Sequence, residues 1–190
     1  MIDSLEAGYI LDRRWHWLRG EMDRSKEPDL ASLVSILSSQ KVTYAVIGGI
    51  ALQIHQKEPR TTIDIDIAVP DRKSLPRQSL LGAGFRETGR HEHSDNWVGP
   101  EGTPVQFTDD PALLGPISRA LEIPIGGVAL RVLRVDDLLH EKLRSGADPA
   151  RRRSKRLQDL ADVQALLEQD PALASELTPD EKRPLDTLPT

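Results

Sequence analysis

An apolar run closed by Gly48-Gly49 and, after fourteen intervening residues, an Asp64-Ile65-Asp66 triplet inside a second apolar run limit what this 190-residue chain can fold into. Ile63-Asp64-Ile65-Asp66-Ile67 alternates strictly, as a strand with one buried face does. The alternation predicts that Ile63, Ile65 and Ile67 face a core while the Asp64 and Asp66 carboxylates stand side by side on the other face. Two such carboxylates repel unless a cation lies between them. Mg²⁺ or Mn²⁺ suits the pair, because Mg²⁺ prefers oxygen ligands, keeps several waters and is commonly shared between carboxylates and substrate phosphates.

The glycines supply the complementary half. Val42-Thr43-Tyr44-Ala45-Val46-Ile47 is β-branched and reads as a buried strand, and Ile50 to His55 carries the apolar spacing of a helix start. Gly48 and Gly49 therefore sit at a strand-to-helix turn, where bare backbone N–H groups can approach phosphate oxygens and the helix N-terminus favours an anion. Taken singly, a Gly-Gly turn is most often structural and an Asp-x-Asp is most often a solvated strand face. Their conjunction is far rarer and reads as a metal and triphosphate site.

The stretch from Tyr44 to Val69 resembles the signature of the DNA polymerase β-like nucleotidyltransferase superfamily, most closely its AbiEii-like branch. In that branch a strand, Gly-Gly or Gly-Ser, a helix, Arg, Thr/Ser and Asp-x-Asp follow in order, and Arg60 and Thr62 occupy the intervening places here. The resemblance implies that Gly49 contacts the triphosphate, that Gly48, Arg60 and Thr62 complete the nucleotide cradle, and that Asp64 and Asp66 hold the metal. It extends to the C-terminal helices, where a Lys, a basic segment and an Asp-x-x-Asp helix follow one another. Lys142 would then contact phosphate, and Asp159, with Asp162 one turn on, would act as a base or orient Lys142. The implied fold is α/β, a small mixed sheet flanked by helices with a C-terminal helical pair.

One position departs from the family pattern. Active members carry a third acidic residue on a later strand, and by pattern that place falls to Gln106, between core-facing Val105 and Phe107. A glutamine cannot deprotonate a hydroxyl and is a weaker metal ligand than a carboxylate. Asp95, Asp109 and Asp110 flank the same strand and are the available substitutes.

The length suits one core with appendages. The pattern divides the chain into an N-terminal helical arm (1–27), a nucleotidyltransferase core (28–134), a helical pair (135–170) and a Pro-, Asp- and Thr-rich tail (171–190) predicted to be disordered. Within the core, helices are expected over 29–37, 71–81 and 111–121, strands over 85–88, 104–108 and 128–133, and a hairpin-like turn over 97–102. Helices over 135–144 and 154–167 follow. Trp15 and Trp17, two apart on the arm, cannot share one narrow helical stripe, so one of them is available to dock on another chain or domain.

Composition excludes other chemistries. With zero cysteines there is no disulfide framework, cysteine zinc site or thiol catalysis, which fits a reducing cytosol. No signal-peptide pattern or membrane-length apolar run is present, so a cytoplasmic protein with no membrane partner is expected. A net charge of −5 argues against a broad nucleic-acid surface, although Arg151, Arg152, Arg153, Lys155 and Arg156 form a local basic segment that could meet tRNA or another RNA. His91-Glu92-His93 is at best half a zinc site.

The sequence reading is thus a metal-dependent transfer of NMP from an NTP to a hydroxyl of an RNA, a protein or a small molecule. By the resemblance, it could be the toxin of a type IV pair with a cognate antitoxin protein. The alternatives are a nucleotide-binding regulatory module whose lost activity Gln106 marks, and a small antibiotic-modifying nucleotidyltransferase.

Overall fold

The computed structural model describes residues 4–19, 25–58, 61–125 and 128–186. Helices α1 (Ser4–Leu18) and α2 (Glu27–Ser39) precede strand β1 (Ala45–Ile47), which runs directly into α3 (Gly48–His55). Strand β2 (Ile65–Ala68) and α4 (Arg77–Gly82) lead to β3 (Arg86–Arg90), β4 (Ser94–Val98) and β5 (Pro104–Thr108). Then come α5 (Leu114–Ser118), β6 (Leu121–Ile125), β7 (Val128–Val132), α6 (Val135–Ala147), α7 (Arg153–Gln169) and α8 (Pro179–Asp186). The strands form one seven-stranded mixed sheet in the order β3-β4-β5-β2-β1-β7-β6, flanked by helices. β2 runs parallel to β5 and β1 parallel to β7, while every other neighbouring pair is antiparallel.

Strand alternation sends two different sets of side chains to the two faces. One face carries Val46, Ile65, Ile67, Val105 and Phe107 into the main core, where Leu30, Leu33, Val34 and Leu37 of α2 belong to the same buried cluster. Trp97 meets Phe107 edge-on there, ring centroids 6.4 Å apart. The other face is covered only in part, by a smaller cluster of Ala45, Ile47 and Ala68 with Leu113, Ile117 and Leu133.

Several local expectations are corrected. Ile63 is 70 % exposed because pairing begins at Ile65, so the alternation extends one turn of the pleat too far. The first strand is only Ala45–Ile47, and the helix after it starts at Gly48 rather than Ile50. The helix expected over 71–81 is broken: the Asp71 carboxylate accepts from Lys73 N at 2.8 Å to cap a short 3-10 turn, and Pro76 separates that turn from α4. Trp97 and Val98 belong to β4 rather than to a turn, and the expected helix over 111–121 ends at Ser118, giving way to β6. Residues 171–186, expected to be disordered, form a 3-10 turn and α8, with Leu173 and Leu177 buried.

The arm is packed along one stripe. Leu5, Gly8, Tyr9 and Asp12 of α1 are buried, Gly8 lying against Gln53 of α3, while Trp15 and Trp17 remain 56 % and 63 % exposed. Among the described residues no helix is long and apolar enough to cross a membrane.

A polar tie holds the β4–β5 connection to α2. Fully buried Asp29 accepts from the backbone N–H groups of Glu101 (3.1 Å) and Thr103 (3.2 Å). Asp29→Ala leaves both amides without that acceptor. It is expected to lower unfolding stability in urea by about 1–3 kcal/mol, whereas Asp29→Asn, which keeps one acceptor oxygen, loses less.

Candidate functional site

Strand register brings the sheet half of the site together. Ile47 lies opposite Asp66, Asp66 opposite Gln106, and Gln106 opposite Asn96, one row across four strands and hence one face. The same row carries a hydrogen bond from Gln106 Nε2 to Asn96 Oδ1, 3.3 Å. Asp64 precedes the strand, and its Oδ1 accepts from Thr62 Oγ1 at 2.8 Å.

The glycine turn is shaped by these side chains. Gly48 has φ +61°, a left-handed conformation open to glycine, and a β-carbon there would fall on the Asp66 carboxylate. A β-carbon at Gly49 would fall on the Thr62 side chain, 2.6 Å from Thr62 Cβ. No side chain caps the N-terminus of α3, so its first amides are not spent on a cap.

The opposite wall comes from α6 and α7. Between the two walls is a cleft of about 370 Å³, lined by Gly48, Gly49, Thr62, Asp64, Asp66 and Gln106 on one side. Glu141, Lys142, Ser145, Arg151, Lys155 and Asp159 line the other. Lys142 is buried, with Nζ 2.8 Å from Asp159 Oδ1 and 3.0 Å from Asp162 Oδ2. Burial works to lower its pKa, but the facing Asp162 and Asp159 charges outweigh it and hold the ammonium above its ordinary value. Arg151 Nε takes the second Asp159 oxygen at 2.9 Å.

The basic segment does not form one surface. Arg151 and Lys155 line the cleft, Arg156 donates to Gly146 O at 2.9 Å, and Arg152 and Arg153 are exposed. Arg60 lies outside the described residues.

Of the three carboxylates available to replace the missing acid, two are on the wrong face. Asp95 stands in register with Phe107, opposite in direction to Gln106, and is bonded by Arg72 (2.6 Å) and Arg77. Asp109 is held by the same Arg72 at 2.8 Å. Asp110 alone lines the cleft, with Oδ1 capping Ala112 N (2.9 Å) and Oδ2 on Arg144 (2.7 Å). The cleft also contains Glu141, which the sequence pattern did not single out. Its only local signal is the helical i, i+4 spacing with Asp137 and Ser145, and Oε1 accepts from Ser145 Oγ at 3.0 Å.

Asp66 is the strained charge. Burial, reinforced by the neighbouring Asp64, pushes its pKa up to about 7 despite Lys142. Asp64, Asp66 and the Gln106 amide oxygen are oxygen donors of the type a hard divalent cation takes, and the carboxylate pair is one that a cation would relieve. Among the described residues no group of three or more His, Asp or Glu gathers into a metal cluster, and the His93 ring lies 3.8 Å from Glu92 and 3.9 Å from Asp109.

A buried relay supports Asp64 from behind. Lys26 Nζ bonds Asp12 Oδ2 at 2.5 Å and Thr62 O at 2.8 Å, tying the arm to the residue that holds Asp64.

The chain's architecture is similar to several solved structures. One is the solution structure of the antibiotic-resistance factor ANT(2'')-Ia, at TM-score 0.56 and 12% identity over 77% of this chain and 86% of that one. Another is an antigenic nucleotidyltransferase-like protein from Paracoccidioides brasiliensis, at 0.51 and 21% over 83% and 91%. A third is the Megavirus polyadenylate synthase, at 0.54 and 15%, over 85% of this chain and 35% of that one. The fold is that of the nucleotidyltransferases. These likenesses do not single out the AbiEii-like branch, and the sequence matches no protein-family model and no curated protein.

The Asp66 environment gives a signed pH effect. Because the folded pKa is above the unfolded one, the metal-free folded state binds more protons between about pH 4 and 7, and its stability falls as pH rises through that window. Asp66→Asn removes the repulsion. Metal-free Asp66→Asn is expected to be more stable than wild type in urea unfolding at pH 8, by on the order of a few kcal/mol, with the gap narrowing at pH 5.

Proposed function

We propose that this protein transfers a nucleoside monophosphate from an NTP to an acceptor hydroxyl, releasing pyrophosphate, with Mg²⁺ or Mn²⁺ as cofactor. The observation that carries the reading is that Gly48, Gly49, Asp64, Asp66 and Lys142 all line one cleft on a nucleotidyltransferase fold. Asp64 and Asp66 would hold the metal. When bound, it supplies charge neutralisation for the triphosphate and for the negative charge that builds at the α-phosphate.

The rest falls to the chain's own groups. The uncapped amides at the start of α3 receive phosphate oxygens, and Gly49 lets them approach. Lys142 has three N–H donors, of which Asp159 and Asp162 take two, leaving one for phosphate. Of the two roles the resemblance offers Asp159, orienting Lys142 is the one the geometry supports, since Lys142 and Arg151 occupy both its oxygens. Lys155 and Arg151 add positive charge to the cleft.

The acceptor class follows less tightly. Structural neighbours include ANT(2'')-Ia solved with adenylyl-2''-tobramycin and a polyadenylate synthase, so small-molecule and RNA acceptors both have precedent on this fold. An RNA acceptor would use the exposed Arg152 and Arg153. A toxin role, with an antitoxin partner, follows only from the AbiEii-like resemblance. Gln106 beside Asp66 favours a second reading, a nucleotide-binding regulatory module with little catalysis.

Incubation with each labelled NTP, Mg²⁺ or Mn²⁺, and total RNA or cell lysate separates the two. A transferase labels an acceptor, loses the labelling on Asp64→Ala, and binds NTP far more weakly in excess chelator by calorimetry. Metal-dependent NTP binding with no labelling from any of the four NTPs would establish the regulatory module instead.

A further inference from the structure

We propose that Glu141 is the general base of the reaction, receiving the acceptor's hydroxyl proton in the place where Gln106 cannot. This rests on the transferase reading above and names a residue that neither the sequence motif nor the family pattern supplies.

The argument is one of charge accounting within the cleft. Among the described residues five carboxylates line it: Asp64, Asp66, Asp110, Glu141 and Asp159. The first two are the metal pair. Asp159 gives one oxygen to Lys142 (2.8 Å) and the other to Arg151 (2.9 Å). Asp110 gives one to the Ala112 amide (2.9 Å) and the other to Arg144 (2.7 Å). A carboxylate whose lone pairs are held by cations is a poor proton acceptor. Glu141 differs: one oxygen accepts from the neutral Ser145 hydroxyl at 3.0 Å, and among the described residues no salt bridge reaches either oxygen.

Its position fits the task. Glu141 is half-buried on α6, next to the phosphate-facing Lys142, and its negative charge is felt at Asp66. It also lines a second groove, of about 550 Å³, that runs between α5, α6 and α8 and shares Leu113, Glu141 and Arg144 with the cleft. An acceptor lying in that groove would bring its hydroxyl to the one carboxylate common to both spaces, and the Ser145 bond leaves Oε2 available to it.

In the step, the acceptor O–H proton passes to Glu141 Oε2 and the freed oxygen pair forms the new bond to the α-phosphorus. The bond from that phosphorus to the pyrophosphate oxygen breaks, and pyrophosphate leaves with the electron pair. Glu141 then returns its proton to water, so no oxidant or reductant is required.

The test compares wild type, Glu141→Gln and Glu141→Asp in full-length protein. Glu141→Gln should lower kcat by about 100-fold or more, the size of a general-base contribution, while KM for NTP and calorimetric Mg²⁺-dependent NTP affinity stay within about twofold of wild type and the melting temperature is unchanged. Glu141→Asp should recover part of kcat. Transfer by Glu141→Gln within threefold of wild type would overturn the assignment. So would a tenfold loss of Mg²⁺-dependent NTP affinity, which would make Glu141 a metal ligand rather than a base. Absence of metal-dependent NTP binding in wild type and variant alike would instead overturn the transferase reading, and this proposal with it.

Discussion

A methyl group at position 48 or 49 would occupy the space in which the Asp66 carboxylate and the Thr62 side chain lie, and the geometry of the cleft follows from that close approach. With hydrogen at both positions, β1 can turn straight into α3 and bring uncapped helix amides up beside a carboxylate. Such proximity is electrostatically mixed: helix amides favour an anion, while Asp66 and Asp64 repel one. A divalent cation with a polyphosphate reconciles the two, because the cation satisfies the carboxylates and the phosphates satisfy the amides. The proposed ligands would therefore relieve the repulsion between the two carboxylates.

The facing wall is organised by a different compromise. Lys142 is buried between Asp159 and Asp162, and Arg151 completes the set. Desolvating these charges offsets much of their attraction, so the cluster is weak as a source of stability. Its value lies in position: it fixes α6 against α7 and holds an ammonium at a set place in the cleft. It also engages both Asp159 oxygens with cations, whereas among the described residues no salt bridge reaches Glu141 on the same wall.

The sheet half of the cleft was legible because its information is local. Gly48, Gly49, Thr62, Asp64 and Asp66 lie within one short stretch, and strand period alone predicts which carboxylates share a face. Even there, alternation does not tell where pairing begins, and Ile63, core-facing by pattern, is exposed. β4 was missed for a related reason. Its inward positions are Asp95 and Trp97, and an inward aspartate reads as a loop until Arg72 and Arg77, residues from a separate turn and helix, are seen to neutralise it. Lys142 and Asp159 carry no local signal beyond the resemblance, and Glu141 carries none beyond its helical spacing, since its distinction depends on which neighbouring acids the fold has paired. The tail was read from composition, which does not reveal that Leu173 and Leu177 find apolar partners.

The Lys142 cluster also sets an order on the assembly of the molecule during synthesis. The Asp64-Ile65-Asp66 segment leaves the ribosome early, but Asp159 lies 17 residues beyond Lys142 in sequence. Until α7 has emerged, Lys142 has no aspartate to enter with, and a lone ammonium stays in water rather than moving into a cleft wall. A nascent chain ending before Asp159 thus has a sheet, a glycine turn and a pair of repelling carboxylates, but not the wall of the cleft that α7 supplies. The two walls of the cleft therefore come together only once the last long helix has been made.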